Sequence, residues 1–257
     1  MVPRRHRPGR AMILAFTDFG WRGPYLGEMR VAALRLAPSV PYVDLMADAP
    51  AFRPDLAAYH LAALAGRLAP GDVVLGVVDP GVGGPRRPLA LFADGVWLVG
   101  PDNGLFELVM RRAGSLETHA IAWRPPALSA SFHGRDLFAP TAARLALGED
   151  AGLAPVTPIR HPGWPDEADC IVHVDSYGNL VSGRRAATLP ETAILQAGGR
   201  PIAHARTFSA TRPGELFWYA NSAGLVEIAA NAASAATLLG LAPGAPLQLQ
   251  ATPADCT

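Results

Sequence analysis

The chain predicts a two-part architecture: an α/β domain built on a mainly parallel sheet, followed by a smaller antiparallel β domain. Three observations carry this expectation. Apolar runs alternate with helical stretches from Met12 to Val78. The run Val73 to Val78 is unbroken by polar residues, as a strand buried on both faces requires. Beyond Asp169 the pattern changes to short strand-like runs separated by turn residues.

Taken in order, residues 12 to 17 (MILAFT) read as the first strand, which ends in Thr17, Asp18, Phe19 and Gly20. Pro24 suits the first turn of a helix, and Tyr25, Leu26, Met29, Ala32, Ala33 and Leu36 recur at helical spacing until Pro38. YVDLM follows as a strand, and residues 54 to 68 as a helix with Pro54 at its start. His60 on that helix is flanked by apolar residues and reads as a packed or partly exposed side chain rather than a ligand. The strand at 73 to 78 then stops at Asp79, ahead of the loop Pro80 to Arg87. LALFAD and VWLVG form a hairpin about Asp94-Gly95, and the second run empties into PDNGLF, residues 101 to 106. A helix from about Leu105 to Arg112 and a strand near His119 to Trp123 lead to SASFHGRDLFAPTAARLAL, where Asp136 is placed to cap the following helix.

Residues 148 to 169 are rich in Pro, Gly and Asp and read as a linker, so the expected domains are 11–150 and 169–257, joined by 151–168. In the second domain, IVHVDSYGNLVS is a strand, turn and strand, and ETAILQAG, RPIAHART, ELFWYAN and LVEIAAN are further short runs. NAASAATLLGL holds one short helix, and PLQLQA a closing strand.

Composition excludes several functions. Half of the 257 residues are apolar and the formal charge is zero, which leaves no electrostatic footprint for nucleic acid or an anionic membrane, although RRHRPGR at the start is locally basic. AMILAF is too short for a signal peptide and no run could span a bilayer, so a cytoplasmic protein is expected. All 22 basic side chains are Arg, which rules out Schiff-base chemistry, pyridoxal phosphate attachment and a phosphate-loop lysine. Cys170 and Cys256 read as ordinary thiols, and no His or Cys has metal-ligand spacing, so neither metal nor cofactor is expected. GVGGPRR is not a dinucleotide fingerprint, because Arg86 stands at the third glycine position.

What remains is a set of polar residues at strand ends: Asp79, Arg86 and His133, joined by Asp18 and Asn103. A His with a carboxylate can orient or deprotonate water, and an Arg can stabilise an anionic nucleophile. Carboxylates at strand ends also suit the paired hydroxyls of a ribose.

TDFG, VVDPGVGGPRR, GPDNGLF, SFHGRDLFAP, VDSYGNLVS and NSAGLVEIAANAASAA stand in the order found in the S-adenosyl-L-methionine (SAM) hydroxide adenosyltransferases. The chain resembles this family, which is related to the fluorinase and chlorinase enzymes, over roughly residues 12 to 251. The resemblance implies a Rossmann-like N-terminal domain, a β-barrel-like C-terminal domain, and a homotrimer with sites between neighbouring subunits. It also implies hydrolysis of SAM, as substrate rather than cofactor, to adenosine and methionine. By resemblance, Asp79, Arg86 and His133 are catalytic: Arg86 stabilises hydroxide, and His133 with Asp79 orients or deprotonates water. Asp18 matches the ribose ligand and Asn103 is a further binding residue, while Asp175 is placed to meet the methionine ammonium and Ser222 its carboxylate. Tyr177 is placed to stack on adenine, and Asn179 and Asn231 to contact the base or its surroundings. Asp175, Tyr177 and Asn179 equally suit a plain turn, and Asn231 a helix cap.

The halogenating relatives place Tyr and Thr where this chain has Asp79 and Val82, and a halide-binding Ser where it has Gly134. A carboxylate repels a halide, so these differences favour the hydroxide branch over a halogenase. Gly23 stands at a common Asp position and Ala47 at a common His position, which leaves a non-catalytic SAM or adenosine binding protein as the other alternative.

Overall fold

The structure, a computed structural model, describes residues 11–249. The basic N-terminal tail, Cys256 and the end of the expected closing strand lie outside the described residues. Two compact units divide at His161 and Pro162.

In the first unit β1 (Ile13–Thr17), β2 (Tyr42–Met46), β3 (Val73–Val77) and β5 (Val96–Pro101) run parallel. The strands β4 (Pro88–Ala93), β6 (Leu116–Ile121) and β7 (Leu153–Pro155) extend the sheet antiparallel, in the order β2-β1-β3-β5-β4-β6-β7. Helices α1 (Tyr25–Leu36), α2 (Pro54–Ala65), α3 (Glu107–Arg112) and α4 (Ala139–Ala146) complete the unit. Every residue of β3 is buried, as its unbroken apolar run requires. Val73, Leu75 and Val77 join a core with Met29 and Ala33 of α1 and Ala139 and Ala142 of α4. On the other face, a side chain at Gly76 would begin 2.8 Å from the Phe106 ring, and one at Gly100 of β5 would begin 2.1 Å from the Gly76 carbonyl. Glycine at both positions makes room for that ring.

The chain leaves β1, forms β2 on one side of it, and returns to form β3 on the other. Such a switch point opens a crevice at the carboxyl ends of the strands. The β1–β3 register pairs Thr17 with Val77, so Asp18 and the Val78-Asp79 segment emerge beside each other.

The Asp94-Gly95 hairpin forms as expected, with both residues at positive φ (49° and 90°). Four boundaries differ from the sequence expectation. The helix α2 ends at Ala65, because Gly66 weakens its last turn before Leu68 is reached. The helix α3 begins at Glu107, after a turn closed by the Glu107 N–H on the Gly104 carbonyl. The strand β6 begins at Leu116, where pairing with Ala93 of β4 sets its start. The stretch read as linker contributes β7 at the sheet edge, and the Ile159 N–H donates to Asp102 at 3.0 Å. An edge strand of three residues carries too little pattern to be seen.

Asp136 does not cap α4. Residues Gly134–Phe138 form a wide π-type turn, in which the Ala139 N–H reaches the Gly134 carbonyl, and α4 continues directly from it. Asp136 instead accepts the Ser129 N–H at 2.9 Å and pairs with Arg135.

The second unit contains β8 (Ala168–Val174), β9 (Leu180–Arg185), β10 (Leu195–Ala197), β11 (Arg200–His204), β12 (Leu216–Ala220), β13 (Leu225–Ala230), α5 (Ala235–Leu239) and β14 (Gln248–Leu249). Its sheet order is β14-β10-β11-β12-β13-β9-β8. The two edges approach each other: the Leu247 N–H donates to the Asp169 carbonyl at 2.9 Å and the Ile171 N–H to the Ala245 carbonyl at 2.8 Å. The result is nearly a barrel, which leaves little free edge. One pair departs from the antiparallel expectation: β11 and β12 are parallel, with Ala203 opposite Phe217. The connection between them carries the chain back to the starting end, as parallel pairing demands. Trp218 anchors the core, its indole N–H donating to the Ala193 carbonyl at 2.9 Å.

Replacing Gly100 by Ala should destabilise the protein by about 1–3 kcal/mol, because the added carbon overlaps the Gly76 carbonyl. Gly27 in α1 has open space around it, so Gly27→Ala should instead stabilise by about 0.5–1 kcal/mol. Urea unfolding midpoints of the two variants check both signs.

Candidate active site

Asp79 is the second residue after β3, where the buried run gives way to the loop Pro80 to Arg87. Gly83 in this loop has φ +78°, and a side chain there would begin 2.3 Å from the Ala130 carbonyl. The close approach that glycine allows therefore docks the loop on the segment before His133. That docking brings together residues 47 positions apart: Arg86 and His133.

Arg86 forms a two-pronged pair with Asp79. Its Nε–H donates to Oδ1 at 2.9 Å, and one Nη–H group to Oδ2. Both side chains are buried, 9% and 4% exposed. The same Nη lies 2.9 Å from His133 Nδ1. A guanidinium only donates, so Nδ1 must be the acceptor, and a neutral His133 carries its proton on Nε2. Burial, then the Arg86 charge, push the His133 pKa down against the opposing pull of Asp79. The Phe138 ring from the π-type turn backs the site: the Arg86 guanidinium lies 5.2 Å from its centre and the His133 ring 6.5 Å.

Asp18 is half-buried, and its carboxylate accepts the Phe52 N–H at 2.9 Å. Phe52 holds φ +61°, uncommon for a bulky residue. Burial, and to a smaller degree the Asp79 charge, raise the Asp18 pKa against the lowering effect of the Phe52 N–H. Phe19, Tyr25 and Phe132 pack with ring centres 5.3 to 5.9 Å apart and tie the Asp18 loop to the His133 loop. Ala47 is fully buried and its carbonyl accepts the Gly20 N–H at 2.6 Å; Gly23 has φ +92°, where glycine is favoured. Asn103 has a backbone role beside the site: its amide donates to the Val78 carbonyl at 2.9 Å and its oxygen accepts the Leu105 N–H at 3.3 Å.

In the second unit, Asp175, Tyr177, Asn179 and Ser222 line one cavity of about 830 Å³. Asp175 builds the turn after β8, accepting the Tyr177 N–H at 2.9 Å, the Asn179 N–H at 2.8 Å and the Asn179 side-chain amide at 2.9 Å. Gly178, at φ +82°, seats this turn on Ser234, and its carbonyl accepts the Ala236 N–H. Tyr177 is largely exposed and Asn179 buried. Asn231 follows β13 but does not cap α5: its amide donates to the Thr211 carbonyl at 2.7 Å, and Ser234 is the cap, accepting the Thr237 N–H. Sequence reasoning missed Glu227, Tyr219, Asn221 and Phe208, which line the same cavity. The readable signal was Glu227, a lone acid inside the apolar run LVEIAA.

Among the described residues, no group of three His, Cys, Asp or Glu could hold a metal ion, and no helix is long and apolar enough to cross a membrane.

A switch-point crevice with a buried Asp79-Arg86 pair beside His133, and a near-barrel unit whose cavity holds two carboxylates, define an α/β enzyme class with an appended β domain. Solved structures share the fold. An uncharacterized conserved protein from Thermotoga maritima has a TM-score of 0.82 at 26% identity, covering 93% of this chain and 99% of its own. A conserved hypothetical protein from Thermus thermophilus has a TM-score of 0.74 at 34% identity, covering 94% and 100%. The family models of the SAM hydroxide adenosyltransferase N-terminal and C-terminal domains match residues 13–153 and 169–248. The chain belongs to the SAM hydroxide adenosyltransferase family. Relatives named (R)-S-adenosyl-L-methionine hydrolase are 37% identical in Salinispora arenicola and 39% identical in Thermus thermophilus, each over 91% of this chain and 96% or 97% of the relative.

His133 is held neutral in the fold, so its lowered pKa contributes stability that is complete above the ordinary value of about 6.5 and is lost as pH falls toward the lowered one. His133→Gln should flatten the fall in melting temperature between about pH 7 and about pH 5. His119, lowered chiefly by burial, leaves a residual slope.

Proposed function

We propose that the chain hydrolyses SAM to adenosine and L-methionine. Water oxygen attacks the ribose 5′ carbon and the carbon–sulfur bond breaks. The bonding pair stays on sulfur, turning the sulfonium into the methionine thioether, and the water gives up a proton. A sulfonium leaves without protonation, so the enzyme's task is to position and activate a weak nucleophile. The observation that carries this reading is the Asp79-Arg86-His133 set at the switch point. Arg86 supplies fixed positive charge for developing hydroxide, Asp79 is the acceptor for a water proton, and His133 Nε2–H is a donor that orients the water oxygen. Asp18, with its raised pKa, suits the ribose hydroxyls. Asp175, Tyr177, Asn179 and Ser222 are assigned to the rest of the ligand, and Asn103 and Asn231 act through the backbone they hold.

The names of the relatives support this substrate, with the (R) configuration at sulfur. The proposal includes a homotrimer, for which the support is the family resemblance, and a cytoplasmic location, for which the support is the reading of the sequence.

Incubation of the protein with SAM in water enriched in heavy oxygen should yield adenosine and methionine in equal amounts, with the label in adenosine. Asp79→Asn and His133→Ala should each lower turnover by about 10²-fold or more. Circular dichroism must show both variants folded, because Asp79→Asn leaves Arg86 buried without its counter-charge. Intact SAM after long incubation with folded wild-type protein would refute the reading.

A further inference from the structure

The cavity of the second unit contains a carboxylate that the proposed reaction does not use. Glu227 stands in the middle of β13, 6% exposed, on the cavity wall. One of its oxygens accepts the Tyr219 hydroxyl and the other accepts the Asn221 side-chain amide at 2.9 Å. Neither partner is charged, and among the described residues no basic side chain lines the cavity. Burying a carboxylate beside only neutral donors is costly, so its retention in an otherwise apolar strand calls for a compensating role.

The polarity of the wall is set by this residue. Burial, and then the bond to Glu227, raise the Tyr219 pKa, so its hydroxyl stays protonated and spends its hydrogen on Glu227. The phenol oxygen is left as an acceptor. The Asn221 amide is likewise committed to Glu227, while its carbonyl accepts the Ala223 and Leu225 N–H groups at 2.9 and 3.0 Å. Asp175 adds a second carboxylate to the same lining. The cavity thus presents two carboxylates and the acceptor oxygen of Tyr219 to its contents.

We infer that Glu227 sets the selectivity of this cavity, favouring a ligand that carries a positive charge over a neutral ligand of the same shape. The inference rests on the reading of SAM as substrate. The sulfonium supplies that charge, and hydrolysis removes it, since adenosine is neutral and methionine has no net charge. The residue that favours the substrate therefore also releases its hold once the carbon–sulfur bond has broken. Glu227 acts through the negative charge it places on the cavity wall, held there by Tyr219 and Asn221.

S-adenosylhomocysteine, which differs from SAM by one methyl group and the positive charge, is the probe. The quantity read is its competitive Ki divided by the KM for SAM. Glu227→Gln should lower that ratio about tenfold by raising KM, with kcat changed by less than about threefold. Glu227→Asp, which keeps the charge, should recover most of the ratio. An unchanged ratio in Glu227→Gln, or equal losses in the Gln and Asp variants, would overturn the inference. If Glu227→Gln does not fold, Tyr219→Phe decides: it keeps the charge, so loss of the ratio there would count against a charge-based selectivity. If wild-type protein leaves SAM intact, the hydrolase reading fails separately, and the same ratio taken from calorimetric Kd values still tests the cavity.

Discussion

One guanidinium organises the first unit's site. Arg86 must satisfy a carboxylate and an imidazole nitrogen at once, and nearly all of its surface is withdrawn from water. A buried ion pair of this kind adds little net stability, because desolvation offsets much of the attraction. Its effect is on geometry and protonation. Two parallel hydrogen bonds fix the plane of the guanidinium, the third contact forces Nδ1 to be bare, and His133 is left neutral with a donor at Nε2. The surrounding fold serves this arrangement: Gly83 lets the Arg86 loop reach Ala130, and the Phe138 ring closes the back.

The first unit's set balances the Asp79 charge against that of Arg86 beside a neutral imidazole, and the second unit is built differently. Among the described residues its cavity gathers Asp175 and Glu227 without a basic side chain, and Glu227 takes up the donors of Tyr219 and Asn221.

The strand ends were legible because an apolar run that stops at a charge has few structural readings. Val73 to Val78 followed by Asp79, and Ile13 to Thr17 followed by Asp18, mark the crevice before any coordinates are known. What the pattern could not carry was direction and contact. The parallel β11–β12 pair has the same residue alternation as an antiparallel one, and β7 is too short to show any. Asn231 and Ser234 are three residues apart and both are good caps, so composition could not choose between them. Glu227 was passed over because a single acid does not disturb a six-residue strand. The Arg86 to His133 contact depends on Gly83, whose need for φ +78° is visible only once the loop is folded.

The proton on His133 is the most direct test of this account. Nitrogen NMR of histidine-labelled protein, with the His133 signals assigned by their loss in His133→Gln, distinguishes a bare ring nitrogen from a protonated one. The account requires a neutral ring at pH 7, with Nδ1 bare and the proton on Nε2. A proton on Nδ1, or a charged imidazolium at that pH, would contradict the contact with Arg86 and the roles built on it.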